Sequence, residues 1–335
     1  MSDSFFPSWQ TMVTRAIAQP AWMGPDAPDH DVVISSRVRL ARNLQGHRFP
    51  HHCGDGELRE VLLKVQQAVA KSGLATEWVT HMSTVEQNYM VACRLISKDF
   101  RVNEPGRALV LDEDRLTSTL VNEEDHLRIQ SLSAGRSLGL AQRAATYFCE
   151  RLGRTLDFAA TPELGHLTAS PANSGEAIRR SVLVHLVALA HRNELKPWVD
   201  HIVSNGLILR GLYGEATRAT GALFQLSSIR GDSDRLEVLL DDLLKAERQA
   251  RAKVKRANLA ELVEQATTFA TTTRSLSHAD AMRVLSWVRW GATRELASMP
   301  SARAVDERVA TLEAAPTDTR AGRWRADMVR QFLGL

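Results

Sequence analysis

Between Leu116 and Leu132 two apolar, strand-like runs are joined by Asn122-Glu123-Glu124-Asp125-His126-Leu127-Arg128, which puts three carboxylates, an imidazole and a guanidinium into one turn of sequence. A solvated charge run does not need an Asn and a His framed by Leu120, Val121, Leu127 and Ile129. Charge held against apolar neighbours is costly unless something uses it. The pattern therefore predicts an antiparallel hairpin whose turn faces a site.

A second run has the same character. Val32-Val33-Ile34-Ser35-Ser36-Arg37-Val38-Arg39-Leu40 is β-branched and then alternates, which places Arg37 and Arg39 on one strand face. Two guanidiniums side by side call for an anion. Helical spacing is expected over 57–72 and 84–97, and short strands over 108–111, 116–122 and 127–132. The pattern then predicts a helix near 138–153, a strand at 166–169, a loop at 170–175, a long helix from Glu176 to His191 and a helix at 195–204. Strands follow over 207–215 and 222–228. From Asp232 onward the pattern is almost wholly helical, with short helices expected at 259–272, 277–297, 303–314 and 322–333.

The expected fold is α+β, a mostly antiparallel sheet flanked by helices and followed by a helical C-terminal domain. We divide the chain into an irregular, proline-containing arm (1–30), a catalytic domain (31–255) and a helical domain (256–335). A length of 335 residues, with 44% hydrophobic and 24% charged, suits a full core and a smaller second unit. The net charge of +3 is too small to point to nucleic acid. Cys53, Cys93 and Cys149 form no CxxC pair, which suits a reducing, cytoplasmic setting and gives no zinc signature. No window approaches the roughly 18 apolar residues of a membrane span.

Arg37, Arg39, Arg128, Arg179 and Arg210 all sit beside predicted strands or helix starts, with Glu124 and Glu215 close to such arginines. Singly, each arginine reads as an exposed or ion-paired residue. Together they describe a polyphosphate cradle, because Arg binds phosphate oxygens bidentately and keeps its charge. No GxxxxGK[ST] loop is present, so side chains would have to hold a nucleotide. His51-His52-Cys53 reads as a loop rather than a metal fragment, Trp287 and Trp290 as bundle core, and Arg248–Arg256 as a solvated helix face.

Three ordered motifs resemble those of the ATP:guanido phosphotransferases, the family of creatine and arginine kinases. They are Ser35-Ser36-Arg37-Val38-Arg39-Leu40-Ala41-Arg42-Asn43, the 122–128 box, and Arg210-Gly211-Leu212-Tyr213-Gly214-Glu215. The run Arg94-Leu95-Ile96-Ser97 is weakly similar and the block 167–181 more clearly so. The helical domain that precedes the first arginine strand in animal phosphagen kinases has no counterpart ahead of Arg37. The short arm, the Leu-Ala-Arg-Asn continuation and the helical tail resemble the bacterial, McsB-type protein-arginine kinase.

The resemblance implies that Arg37, Arg39, Arg128, Arg179 and Arg210 bind the phosphates of ATP, with Mg²⁺ held by those phosphates rather than by the protein. It implies that Glu124 and Glu215 orient the acceptor guanidinium and take its proton. The bland reading of each glutamate is an ion pair with a neighbouring arginine. Protein substrates bearing arginine, a zinc-binding adaptor, a protease chaperone that reads phosphoarginine and a homodimer are further implications.

The chain departs from the family pattern in three places. Active relatives read close to Cys-Pro-Thr-Asn-x-Gly-Thr-Gly-x-Arg where this chain reads Ser170-Pro171-Ala172-Asn173-Ser174-Gly175-Glu176-Ala177-Ile178-Arg179. Ser170 replaces a thiolate whose charge at ~4 Å, with an effective dielectric of ~20, is worth at most about 4 kcal/mol, or roughly a thousandfold in rate. Glu176 puts a carboxylate three residues before Arg179, read here as a helix-start residue or a repulsive neighbour of phosphate. A C-terminal Arg-Asp-x-x-Arg-Ala motif survives only in its second half, as Ala321-Gly322-Arg323-Trp324-Arg325-Ala326, and Arg325 and Arg330 read as solvated charges. The leading expectation is a protein-arginine kinase. The alternatives are a pseudokinase that keeps the cradle as a regulatory module, and a kinase of free arginine or another small guanidine.

Overall fold

The computed structural model describes residues 27–334 except 213–218, 229–231, 313–314 and 316–317. Most of the expected arm, and Glu215, lie outside the described residues. Eight strands form one sheet: β1 (Val33–Arg42), β2 (Thr76–Val79), β3 (Ala108–Asp112), β4 (Thr117–Val121), β5 (Leu127–Ala134), β8 (Ile178–His185), β9 (Ile208–Gly211) and β10 (Leu223–Ser227). A two-strand ribbon, β6 (Ala160–Thr161) and β7 (Gly165–His166), stands apart. The sheet order is β2-β3-β4-β5-β1-β8-β10-β9, and every neighbouring pair is antiparallel. The α+β expectation holds.

Strand alternation divides the side chains between two faces. Val38, Leu40, Leu127, Ile129, Val182, Val184, Phe224 and Leu226 face one way and are buried. Opposing apolar side chains come chiefly from α1 (Asp55–Ser72), α3 (Leu138–Gly153), α4 (Val187–His191), α5 (Leu195–Ser204) and α6 (Ser233–Ala252). The other face is apolar only in part. Leu109, Leu111, Leu120, Leu132, Leu183 and Leu223 pack there beneath α2 (Thr84–Ala92) and the helices α8 (His278–Thr293), α9 (Ala302–Thr311) and α10 (Ala321–Leu333). The remainder of that face is polar and carries the arginines of β1, β5 and β8.

The predicted helix over Glu176–His191 is corrected to β8 followed by the short α4. Val182-Leu183-Val184 is a β-branched-rich, fully buried run in mid-sheet between β1 and β10, and a strand buried on both faces loses the alternation that would mark it. The strand expected at 166–169 shrinks to Gly165–His166, and the one at 207–215 is described over Ile208–Gly211. The C-terminal helices, including α7 (Arg256–Thr272), match the expected positions to within a few residues. Trp290 is fully buried and stacks on Trp287 at 5.7 Å.

The basic residues of the run at 248–256 are mostly exposed, as expected of a solvated face, with Arg251 as the buried exception. Arg248 pairs with Asp29 and Asp31, and Arg251 is buried against Glu247 at 2.7 Å. Arg330 is likewise occupied, donating to the carbonyls of Ala270 and Thr273 at the end of α7, and Arg325 Nε is buried without a partner.

Two buried guanidiniums tie the segment before β1 to the C-terminal helices. Arg251 donates to the carbonyls of Asp31 (2.9 Å) and His185 (3.0 Å). Arg289 donates to the carbonyls of Asp31 and His30 (both 3.0 Å) and pairs with Asp306 at 2.7 Å. Burial and the two flanking guanidiniums, Arg289 and Arg251, hold His185 neutral, far below its ordinary value. Removing one partner of such a buried pair leaves an uncompensated charge. Asp306→Ala is therefore expected to cost about 3–5 kcal/mol by urea denaturation, and a loss under 1 kcal/mol would contradict the account.

Candidate active site

Strand register brings the predicted arginines together. Arg39 on β1 lies directly opposite Gln130 on β5 and Arg179 on β8, Arg37 lies opposite Leu132 and Ser181, and Arg128 lies opposite Ala41. On β10, Gln225 lies opposite Leu183 and, on its other side, Arg210 of β9. Directly paired residues share a face, so Arg37, Arg39, Arg128, Arg179 and Arg210 all project from the polar part of the second face.

The cluster repels itself. Burial, and then Arg39, Arg94, Arg128 and Arg179, push Arg37 well below the ordinary guanidinium value. Burial and the charges of Arg128, Arg179 and Arg94 do the same to Arg39. Arg179 is lowered by burial and by Arg210 and Arg128. Arg39 Nε and Arg179 Nε are buried with no acceptor. A row of guanidiniums with unmet donors is the complement of a polyanion, and a triphosphate would supply both the charge and the acceptors.

Sequence reasoning passed over two members of this group. Arg94, which follows α2 with a positive φ of 63°, is buried, and burial pushes it down to about 10. Its Nη2 donates to Gln225 Oε1 at 3.1 Å, and the same oxygen accepts from Arg37 Nη2 at 2.8 Å. Gln225 thus joins a sixth guanidinium to the first. The only advance signal was the weakly similar Arg94–Ser97 run, and Gln225 had none because its role depends on strand pairing.

The carboxylate-rich turn is sorted by its contacts. Asn122, at φ 57°, donates to the carbonyls of Leu58 (2.9 Å) and Gly106 (2.7 Å), which anchors the turn. Burial would raise the Glu123 carboxyl, but Arg128 at 2.7 Å, the Glu124 amide and the Ser97 hydroxyl outweigh it and hold the group below its ordinary value. Asp125 accepts from Asn43 Nδ2 and from the Ala169 amide. His126 Nδ1 accepts from the Leu44 amide, and burial pushes this imidazole down to about 4. Glu124 is exposed, and no described residue pairs with its carboxylate. Arg128 therefore takes Glu123, not Glu124, and the second glutamate is left available to a ligand.

Ser170 opens a short 3₁₀ turn, Pro171–Asn173, without capping it through its hydroxyl. The loop is closed by Thr168 Oγ1, which lies 2.8 Å from the Ser170 carbonyl and 3.1 Å from Ser174 Oγ. Glu176 precedes a strand, so the helix-start reading is withdrawn; its carbonyl accepts from Arg42 Nη1 at 3.2 Å. Ala177, where the family pattern carries glycine, sits at φ 52° and is 8% exposed. No group of three or more metal-type ligands occurs among the described residues.

Two outcomes are expected from this geometry. A left-handed backbone disfavours Ala by ~1–2 kcal/mol, offset by the ~0.4–1 kcal/mol of chain entropy that Gly adds to the unfolded state. Ala177→Gly should therefore stabilise the protein by roughly 0.5–1 kcal/mol in denaturant titrations, and a net loss would contradict the strain. For His126, held near 4 in the fold and near its ordinary 6.5 when unfolded, the unfolded state takes up the extra proton between these values. Its contribution is complete above pH 6.5 and is lost towards pH 4, at up to about 1.4 kcal/mol per pH unit. His126→Asn should flatten that part of the stability–pH curve.

The profile described as "ATP:guanido phosphotransferase, C-terminal catalytic domain" matches residues 59–235. That span holds Glu124, Arg128, Ser170, Arg179 and Arg210. Among curated relatives, the protein-arginine kinase of Symbiobacterium thermophilum is 32% identical over 332 residues, covering 94% of each chain. That of Moorella thermoacetica is 34% identical, covering 93% of this chain and 97% of the relative. That of Desulforamulus reducens is 41% identical over 214 residues, which are 62% of this chain and 60% of the relative. Among solved structures, lombricine kinase superposes with a TM-score of 0.57 at 24% identity, covering 68% of this chain and 70% of that one. The taurocyamine kinase of Schistosoma mansoni gives 0.58 at 23% identity, covering 72% and 38%. The arginine face, the sheet topology and these alignments agree: the chain belongs to the ATP:guanido phosphotransferase family.

Proposed function

We propose that this chain transfers the γ-phosphoryl group of ATP to a guanidinium nitrogen of arginine side chains in proteins, as the names of its curated relatives state for them. The observation that carries the proposal is one sheet face holding Arg37, Arg39, Arg128, Arg179 and Arg210, beside a turn whose exposed Glu124 has no partner among the described residues.

The acceptor nitrogen attacks the γ-phosphorus, the bond from that phosphorus to the bridging oxygen of ADP breaks, and the nitrogen gives up a proton. The arginines hold the phosphate oxygens in place and neutralise charge as it moves onto the leaving group, and a bound Mg²⁺ would supply further charge between the phosphates. A guanidinium is cationic and a poor nucleophile, so a carboxylate beside it orients it and takes the proton. Glu124 fills this role, and Glu215, outside the described residues, is the proposed second. Ser170 stands beside the acceptor with a neutral hydroxyl, so the native rate is expected to be lower than with a thiolate there. A pure nucleotide-binding module would not need the free carboxylate of Glu124.

The same reading places the protein in the cytoplasm with the division 31–255 and 256–335. It also includes a homodimer, a zinc-binding adaptor and a protease chaperone as partners. No helix among the described residues is long and apolar enough to cross a membrane.

The test is phosphoarginine detection by mass spectrometry at non-acidic pH on an arginine-rich protein incubated with the chain and Mg-ATP, with free arginine as a parallel acceptor. Glu124→Gln should lower turnover by about 10²–10⁴-fold while ATP affinity is kept, and Ser170→Cys should raise it. Absence of phosphoarginine with both the native chain and Ser170→Cys would overturn the kinase reading.

A further inference from the structure

Three successive residues where β1 ends reach both of the loops that face the acceptor. The Ala41 amide donates to the Ala177 carbonyl at 3.0 Å, and Arg42 Nη1 donates to the Glu176 carbonyl at 3.2 Å. Asn43, 1% exposed, donates from Nδ2 to Asp125 Oδ1 at 2.6 Å and to the Leu167 carbonyl at 3.1 Å. Its Oδ1 accepts from the His126 amide at 2.9 Å. The same Asp125 oxygen accepts from the Ala169 amide at 2.7 Å. The turn carrying Glu124 and the loop carrying Ser170 are therefore joined through one buried amide–carboxylate pair, on the strand that also carries Arg37 and Arg39.

We infer that Asn43 and Asp125 form a positioning pair that fixes the acceptor carboxylate and the Ser170 loop at a set distance from the phosphate-binding arginines. The inference rests on the function proposed above. The residue types suit the task. An amide gives and accepts at once, so Asn43 serves both segments, and a carboxylate can take two donors on one oxygen in a dry setting. Neither side chain is placed to touch a substrate. Both act through the backbone of residues that are, and phosphoryl transfer is sensitive to such placement, since a displacement of ~1 Å can cost about 10²-fold.

Asn43→Asp sets a second carboxylate against Asp125 and removes the donor. In the full chain with Mg-ATP and an arginine-rich protein, kcat/KM for the acceptor should fall by about 10–100-fold, with KM for ATP changed by less than about twofold. Adding Asp125→Asn reverses donor and acceptor across the pair and should recover part of the loss, as interacting neighbours do in a double-mutant cycle, while the bond to the Leu167 carbonyl stays broken. Hydrogen exchange gives a readout that does not depend on turnover. The Ala169 and His126 amides should exchange at least about tenfold faster in Asn43→Asp, those of Arg37–Arg39 should be unchanged, and the double variant should restore protection. Unchanged exchange at Ala169 and His126, a rise in KM for ATP in step with the acceptor's, or no recovery in the double variant would each overturn the inference. If the native chain made no phosphoarginine, the proposed function would fail while hydrogen exchange still decided the pair.

Discussion

The mutual repulsion of guanidiniums on one sheet face is the constraint on which the rest of the structure depends. Two unit charges roughly 5–8 Å apart on neighbouring strands repel by about 2–3 kcal/mol at an effective dielectric of ~20. Arg37, Arg39, Arg94, Arg128 and Arg179 act on one another in this way, and among the described residues Glu123 is the carboxylate set among them. The face stays assembled because its strands are held from behind by a close-packed apolar layer of helices. A polyanion bound to this face would relieve that repulsion. Among the described residues Arg39 Nε and Arg179 Nε are buried without an acceptor.

The carboxylates next to this face show how tertiary contact assigns chemistry. Glu123, Glu124 and Asp125 are adjacent in sequence and alike in kind, yet one is neutralised by Arg128, one secures the loop at Ala169, and one has no partner among the described residues. The turn that separates them is set by the left-handed backbone of Asn122 and its two side-chain hydrogen bonds to neighbouring carbonyls. Only a fixed backbone can divide three equivalent groups into three roles.

Away from the site, the paired guanidiniums of Arg251 and Arg289 serve packing register. Both donate to the Asp31 carbonyl, so the chain entering β1 is held by α6 and α8 together. Buried ion pairs add little net stability over apolar packing, but they tolerate few alternative arrangements. They set the C-terminal helices in one orientation over the partly apolar second face.

Much of the architecture was legible in the sequence. Alternation of residue type exposed β1, apolar runs around a polar turn gave the β4–β5 hairpin, and the amphipathic spacing of the tail gave α7 to α10, because each of those patterns lies within one short stretch of chain. The same logic failed at β8, whose Val182-Leu183-Val184 run is buried on both sides and so carries no strand period. The five arginines and the two glutamates could be named as a group from their motifs. Arg94 and Gln225 could not, since Arg94 reaches the cluster from a distant loop and Gln225 meets it only through β10 pairing. The sequence by itself determined which residue types were available, a surplus of arginine on strands and carboxylates in one turn, because local pattern is encoded in neighbouring residues. The tertiary structure alone decided which guanidiniums crowd together, which carboxylates of the turn pair with Arg128 and Asn43 and where Ala177 is strained, because those outcomes depend on strand register and on contacts between segments far apart in the chain.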